Sequence, residues 1–129
     1  MQTTTDTPNT DYPELHAYIE CALWTSIDEQ PDGNGGPPMD ENYGPEDVAP
    51  VALAAMDADV RAFITENAGD LLYLDPRKVG HDFWLTRNRH GAGFWDRGLG
   101  ERGKRLTDAA RAYGGCDLYV GGDGRVYVA

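Results

Sequence analysis

The sequence predicts an α+β fold: two N-terminal helices followed by ββ-α-ββ, with about four strands in one antiparallel sheet and the helices packed on one face. Three observations lead there. Apolar residues recur at three-to-four spacing through most of residues 11–67, apart from one proline- and glycine-rich stretch. Two aromatic, β-prone runs flank a turn-forming centre in GHDFWLTRNRHGAGFWDRG, residues 80–98. Two short alternating runs then surround Gly121-Gly122-Asp123-Gly124 near the end of the chain. A chain of 129 residues fits a single domain, 11–129, and a domain that size buries roughly two-thirds of its unfolded surface without a metal or disulfide.

Residues 1–10 are polar and rich in threonine, which predicts a disordered tail. The first helix is expected over 11–26. Asp11 can cap it, Glu14 completes an Asp-x-x-Glu capping box, and Pro13 fits the first turn, where its missing N–H costs nothing. Leu15, Tyr18, Ile19, Ala22 and Leu23 form its apolar face. Residues 28–47, DEQPDGNGGPPMDENYGPED, carry four of the eight prolines and read as a mobile acidic loop that Met39 or Tyr43 can pin down.

The second helix is expected over 50–67, with Leu53, Met56, Val60, Phe63 and Ile64 on one face and Asp57, Asp59 and Glu66 on the outer arc. Asn67-Ala68-Gly69 is a stop signal, with Gly69 available for a left-handed cap. Residues 70–74 read as one further turn, and Asp75 caps a short turn that ends at Val79. The first hairpin pairs 81–86 with 94–96. A third helix spans 101–113, with Leu106, Ala109, Ala110 and Tyr113 inward and Arg102, Lys104, Arg105 and Arg111 outward. Gly114-Gly115 ends it, and a second hairpin pairs 116–120 with 125–128.

Charge is distributed unevenly along the chain. The net charge is −11; residues 1–75 hold 16 acidic and 1 basic side chains, and residues 76–129 hold 6 and 10. This layout predicts an acidic lobe and a mildly basic face. An acidic protein is repelled by nucleic acid at long range, which argues against general nucleic-acid binding. Carboxylates on helix faces can also imitate a phosphate backbone, but only where their spacing is fixed. Cys21 and Cys116 lack CxxC spacing and read as reduced thiols. Neither a secretory leader pattern nor an apolar run approaching membrane-spanning length is present, so the expectation is a soluble, cytoplasmic chain with no membrane association.

The central stretch concentrates the candidate chemistry. His81, Asp82, His90 and Asp96 would come together on a hairpin and can share a proton or meet a divalent ion in hydrolysis or phosphoryl transfer. No HExxH or Cys/His ligand spacing is present, so no metal and no cofactor is expected. Alternatively the aspartates pair with Arg87 or Arg97 and the histidines cap turns. Gly98-Leu99-Gly100-Glu101-Arg102-Gly103 spells GxGxxG, but without a preceding βαβ unit, and Glu101 would oppose a phosphate. The remaining reading is a binding surface: Arg87, Asn88, Arg89, His90, Trp95 and Arg97 at the hairpin tip, where an outward tryptophan between arginines can stack on a partner.

Residues 74–103, LDPRKVGHDFWLTRNRHGAGFWDRGLGERG, resemble a signature of small acidic proteins encoded by bacteriophages and mobile elements. Their typical form keeps the GHDFWLTRN and HGAGFWDRG blocks and a closing DLYVG strand, here residues 117–121; IECALWTSID at 19–28 is also similar. The resemblance carries no established activity and transfers no catalytic residue. It implies an accessory gene product in the bacterial cytoplasm that binds a bacterial or phage protein, with interference in nucleic-acid handling or defence as one role. A hydrolase using His81, Asp82, His90 and Asp96, and a structural or oligomeric phage component, are the alternatives. The oligomeric state is left open.

Overall fold

The run expected to open the first hairpin is instead the central helix of the fold. In the computed structural model, which describes residues 10–29 and 35–129, four α-helices precede one short hairpin. They are α1 (Pro13–Thr25), α2 (Pro50–Glu66), α3 (Pro76–Arg87) and α4 (Glu101–Arg111), then β1 (Leu118–Val120) and β2 (Val126–Val128). The four-stranded antiparallel sheet and the ββ-α-ββ order are therefore not found. The described residues hold one two-stranded sheet, with Leu118 opposite Val128 and Val120 opposite Val126.

The physical reason lies at Asp75, Pro76 and Gly80. The Asp75 carboxylate accepts the Arg77 N–H at 3.0 Å and Pro76 takes the first helical position, so a helix begins here. It does not stop at Val79, because Gly80 is a packing glycine and not a breaker. A Cβ built there would lie 1.9 Å from the Glu14 carbonyl oxygen of α1. The missing side chain lets the two helix backbones touch, which offsets the roughly 1 kcal/mol that glycine costs inside a helix. Beyond this contact α3 is buried at every position from Asp82 to Arg87, so the aromatic, β-prone composition of 82–86 fills a core from all sides. Residues 94–96 form a 3-10 turn that drops Phe94 into the core and leaves Trp95 half exposed.

Rings from every helical layer meet around α3. Phe83 stacks on Phe63 of α2 at 4.2 Å between centroids, and Tyr18 of α1 lies 5.3 Å from both Phe83 and Trp84. Phe94 also stacks on Phe63, at 5.7 Å, and Tyr113 meets Phe83 edge-on at 5.1 Å. Such offset and edge geometries contribute beyond simple burial, by about 0.5–1.5 kcal/mol per pair. The hairpin is attached through Val126, fully buried, whose carbonyl accepts the Ala49 N–H at 2.8 Å just before α2.

Several local expectations change in detail. Asp11 does not cap α1; it sits one residue too early, and its carboxylate meets the His16 ring at 3.0 Å. At the end of α2 the cap is Asn67, whose side-chain amide donates to the Phe63 carbonyl at 2.9 Å, and Gly69 is not left-handed. The left-handed residue of that turn is Tyr73, at φ 67°.

The expected tail falls, apart from Thr10, outside the described residues, as do 30–34 of the acidic loop. What is described of that loop is closed at its base. Asp28 N–H donates to the Pro37 carbonyl and Met39 N–H to the Ser26 carbonyl, both at 2.9 Å, and Met39 is buried. No helix among the described residues is long and apolar enough to cross a membrane.

Folding also mixes the two charge halves. Arg77 pairs with Glu20, Arg87 with Asp59 at 2.8 Å, and Arg105 with Asp70 at 2.8 Å, each joining the basic second half to the acidic first. The asymmetry along the sequence is thus partly cancelled in space. Asp57 is held by the Tyr12 hydroxyl and Arg61, and Glu66 accepts from the Tyr113 hydroxyl. The α2 carboxylates that would have formed a phosphate-like array are engaged internally.

Candidate functional site

The end of α3 decides where the predicted site residues go. Arg87, expected at an exposed hairpin tip, is 6% exposed. Its guanidinium donates to the Tyr18 hydroxyl at 3.0 Å, the Asp59 carboxylate at 2.8 Å, and the Gly114 and Tyr113 carbonyls at 2.8 and 3.2 Å. It also lies over the Phe83 and Tyr113 rings. This one side chain joins α1, α2 and the end of α4, and it is not presented to a partner. Arg97 makes two hydrogen bonds to Asp82, at 2.7 and 3.0 Å, which clamps the 3-10 turn to α3. Asn88 is likewise occupied: its amide nitrogen donates to the Trp84 carbonyl and its oxygen accepts the Cys116 N–H at 2.8 Å.

The helix then closes through a Schellman arrangement. Arg89 N–H donates to the Thr86 carbonyl and His90 N–H to the Leu85 carbonyl, with Arg89 itself left-handed at φ 57°. Of the six proposed contact residues, Arg89, Trp95 and Arg97 stay exposed, Arg97 with Asp82 as its partner, and Asn88 and His90 are partly so.

The four candidates for acid–base or metal chemistry do not converge. His81 stacks on Trp24 in a groove between α1 and the start of α3. Asp82 is tied to Arg97 beside a different groove, and His90 faces a third cleft. Asp96 is exposed on the 3-10 turn. Among the described residues no three His, Cys, Asp or Glu side chains stand where they can share a metal ion.

What the fold does assemble is a cleft of about 590 Å³ between the end of α1, the end of α3 and β1. Its floor is Trp84, whose indole N–H donates to the Thr25 hydroxyl at 2.7 Å, and Met39. The Asn88 bridge to Cys116 brings β1 alongside the end of α3, so that His90 and Tyr119 line the same cleft. Asp28, Glu29 and Asp117 line it, with His90 the one basic group of the lining. Tyr119 is half exposed and stacks on Tyr127, its cross-strand partner, at 5.5 Å.

Cys116 also lines the cleft. Burial pushes its thiol above the ordinary range, against the opposing pull of Arg87, so it is not the lowered-pKa thiolate that nucleophilic chemistry requires. The Glu29 and Asp117 carboxylates and an aromatic ring around a cavity of this size suit a guanidinium or ammonium group, held by charge and by the face of the ring.

His90 was visible as a candidate in the sequence. Asp28, Glu29, Asp117 and Tyr119 were not, since they come from two segments about 90 residues apart that only the α1–α3 packing and the Asn88 bridge bring together. A scan of family models finds no match, and no curated protein and no solved structure is detectably similar to this chain.

Proposed function

We propose that this chain is a small phage-type accessory protein that binds a bacterial or phage protein by taking basic side chains of that partner into the cleft between α1, α3 and β1. The observation that carries the reading is the lining of that cleft: the Glu29 and Asp117 carboxylates and Tyr119 around about 590 Å³, on a molecule of net charge −11. Long-range attraction then favours a partner with a basic surface and speeds its arrival. Proteins that handle nucleic acid present such surfaces, so interference with them is the role this chemistry suits best. The phage context comes from the resemblance of residues 74–103. The contact surface is accordingly moved from the Arg87–Arg97 turn, whose two end arginines have internal partners, to the neighbouring cleft.

The test is capture from bacterial lysate by the tagged protein, followed by salt elution. The expected result is one stoichiometric partner, released as salt rises, and lost in Asp117→Lys and in Tyr119→Ala. Retention in both variants, with loss in Trp95→Ala, would return the contact to the 89–97 turn and overturn the cleft.

A further inference from the structure

A second surface has no place in that reading. Tyr73 is 95% exposed and Leu72 is 54% exposed, side by side in the turn between α2 and α3. The Tyr73 backbone is left-handed, at φ 67°, a conformation that a non-glycine residue adopts only at a cost. The turn is nonetheless braced. Arg102 of α4 donates to the Leu72 carbonyl at 2.9 Å, and Arg105 grips the Asp70 carboxylate with two hydrogen bonds at 2.8 and 2.9 Å. The backbone that carries the ring is therefore held in one place, which lowers the backbone ordering cost of any contact it makes.

Tyr73 stands at the rim of a groove of about 280 Å³ that it lines together with Leu74, Val79, Phe94 and Leu99. Projection and socket thus adjoin on one face. That adjacency is the requirement for a two-fold contact, in which the same patch on each copy supplies both halves.

Charge points to the same occupant. A second copy brings another −11 and is repelled almost everywhere. The groove, however, is lined by Lys78 and Arg97 against Asp75 and Asp82, two charges of each sign. It is an electrically balanced patch, where a like-charged copy meets little local repulsion.

We propose that this face joins two copies of the chain, with Tyr73 of each copy seated in the groove of the other. The proposal is independent of the acidic cleft, which lies at the opposite end of α3 and stays open in such a pair. Each tyrosine buries about 150–250 Å². Two tyrosines and the two sockets that receive them then give on the order of 600–1,000 Å² in total, below the range of stable specific interfaces and within that of transient contacts, so the dimer is weak and reversible. Its salt dependence is opposite to that of a basic partner: salt screens the repulsion between the two acidic bodies and strengthens the pair.

Sedimentation velocity over a range of protein and salt concentrations tests this, with Tyr73→Gly as the main variant. Glycine accepts the left-handed backbone, so this variant keeps or gains thermal stability and a lost dimer cannot be blamed on misfolding. The expected result is a wild type that moves from monomer towards twice the mass as its concentration rises, more readily at high salt, and a Tyr73→Gly protein whose self-association is weaker by on the order of tenfold or more. Leu72→Asp is expected to weaken it as well. A wild type that stays monomeric at its solubility limit in high salt, a dimer that salt weakens, or a dimer unchanged by Tyr73→Gly would overturn the proposal.

Discussion

At the scale of single residues, the strongest constraint is Gly80. A methyl group there would meet the Glu14 carbonyl oxygen, part of a helix backbone that cannot swing aside as a side chain can. Gly80→Ala is therefore expected to lower stability by at least about 1–3 kcal/mol, although alanine is the better helix former. Gly69→Ala, with nothing within 4 Å of the added carbon and no left-handed φ, serves as the neutral comparison. Urea unfolding of the two variants decides it, and equal midpoints would remove the close-contact account. Cys21 gives a prediction in pH. Burial, with Asp82 adding to it, pushes its thiol from the ordinary 9.0 to about 12. The unfolded chain therefore ionises this thiol first, and it binds fewer protons than the native state between those two values. Stability is expected to be unaffected by this group below about pH 8.5 and to fall as pH rises above it, with Cys21→Ala showing a shallower decline. Equilibrium unfolding between pH 8 and pH 10 reads the difference in slope.

At the scale of elements, Arg87 is the tie that holds the helices in register. It is the last residue of α3, and it reaches a hydroxyl on α1, a carboxylate on α2 and two carbonyls beyond α4. Removing it leaves the buried Tyr18 hydroxyl and three partly buried acceptors without their donor. Arg87→Met is expected to cost about 1.5–3 kcal/mol, the range for hydrogen bonds made by a charged group. Asp59→Asn is expected to cost less, because an amide oxygen there still accepts from the Arg87 guanidinium, which keeps its other three acceptors. Thermal melts of the two variants check the order, and an Arg87→Met protein as stable as wild type would return this residue to the list of surface contacts. The sequence shows the charge and the position of Arg87 but not its role. Read on a strand it points to a tip; read at the end of a helix that four elements surround, it points inward.

At the scale of the whole molecule, α3 decides how the chain unfolds. It packs on α1, its rings reach Phe63 of α2 and Tyr113 beyond α4, and the hairpin is sewn to its end through Asn88. No helix can leave without exposing the ring cluster. A single transition is expected, with tryptophan fluorescence and far-UV circular dichroism giving the same midpoint; two separated midpoints would show that the hairpin or α4 melts independently. The amino-acid sequence by itself determined the positions of α1, α2, α4 and the closing hairpin, because their apolar periodicity, prolines and glycine turns act over a few residues. Only the tertiary structure decided that residues 76–87 are a helix, since a glycine and a run of β-prone aromatics signal a strand until a neighbouring backbone needs the glycine and a core needs every ring. The same holds for the acidic cleft and the Tyr73 groove. Their residues lie far apart in the chain, and it is the packing of α1 against α3, a long-range contact with no local signature, that sets them side by side.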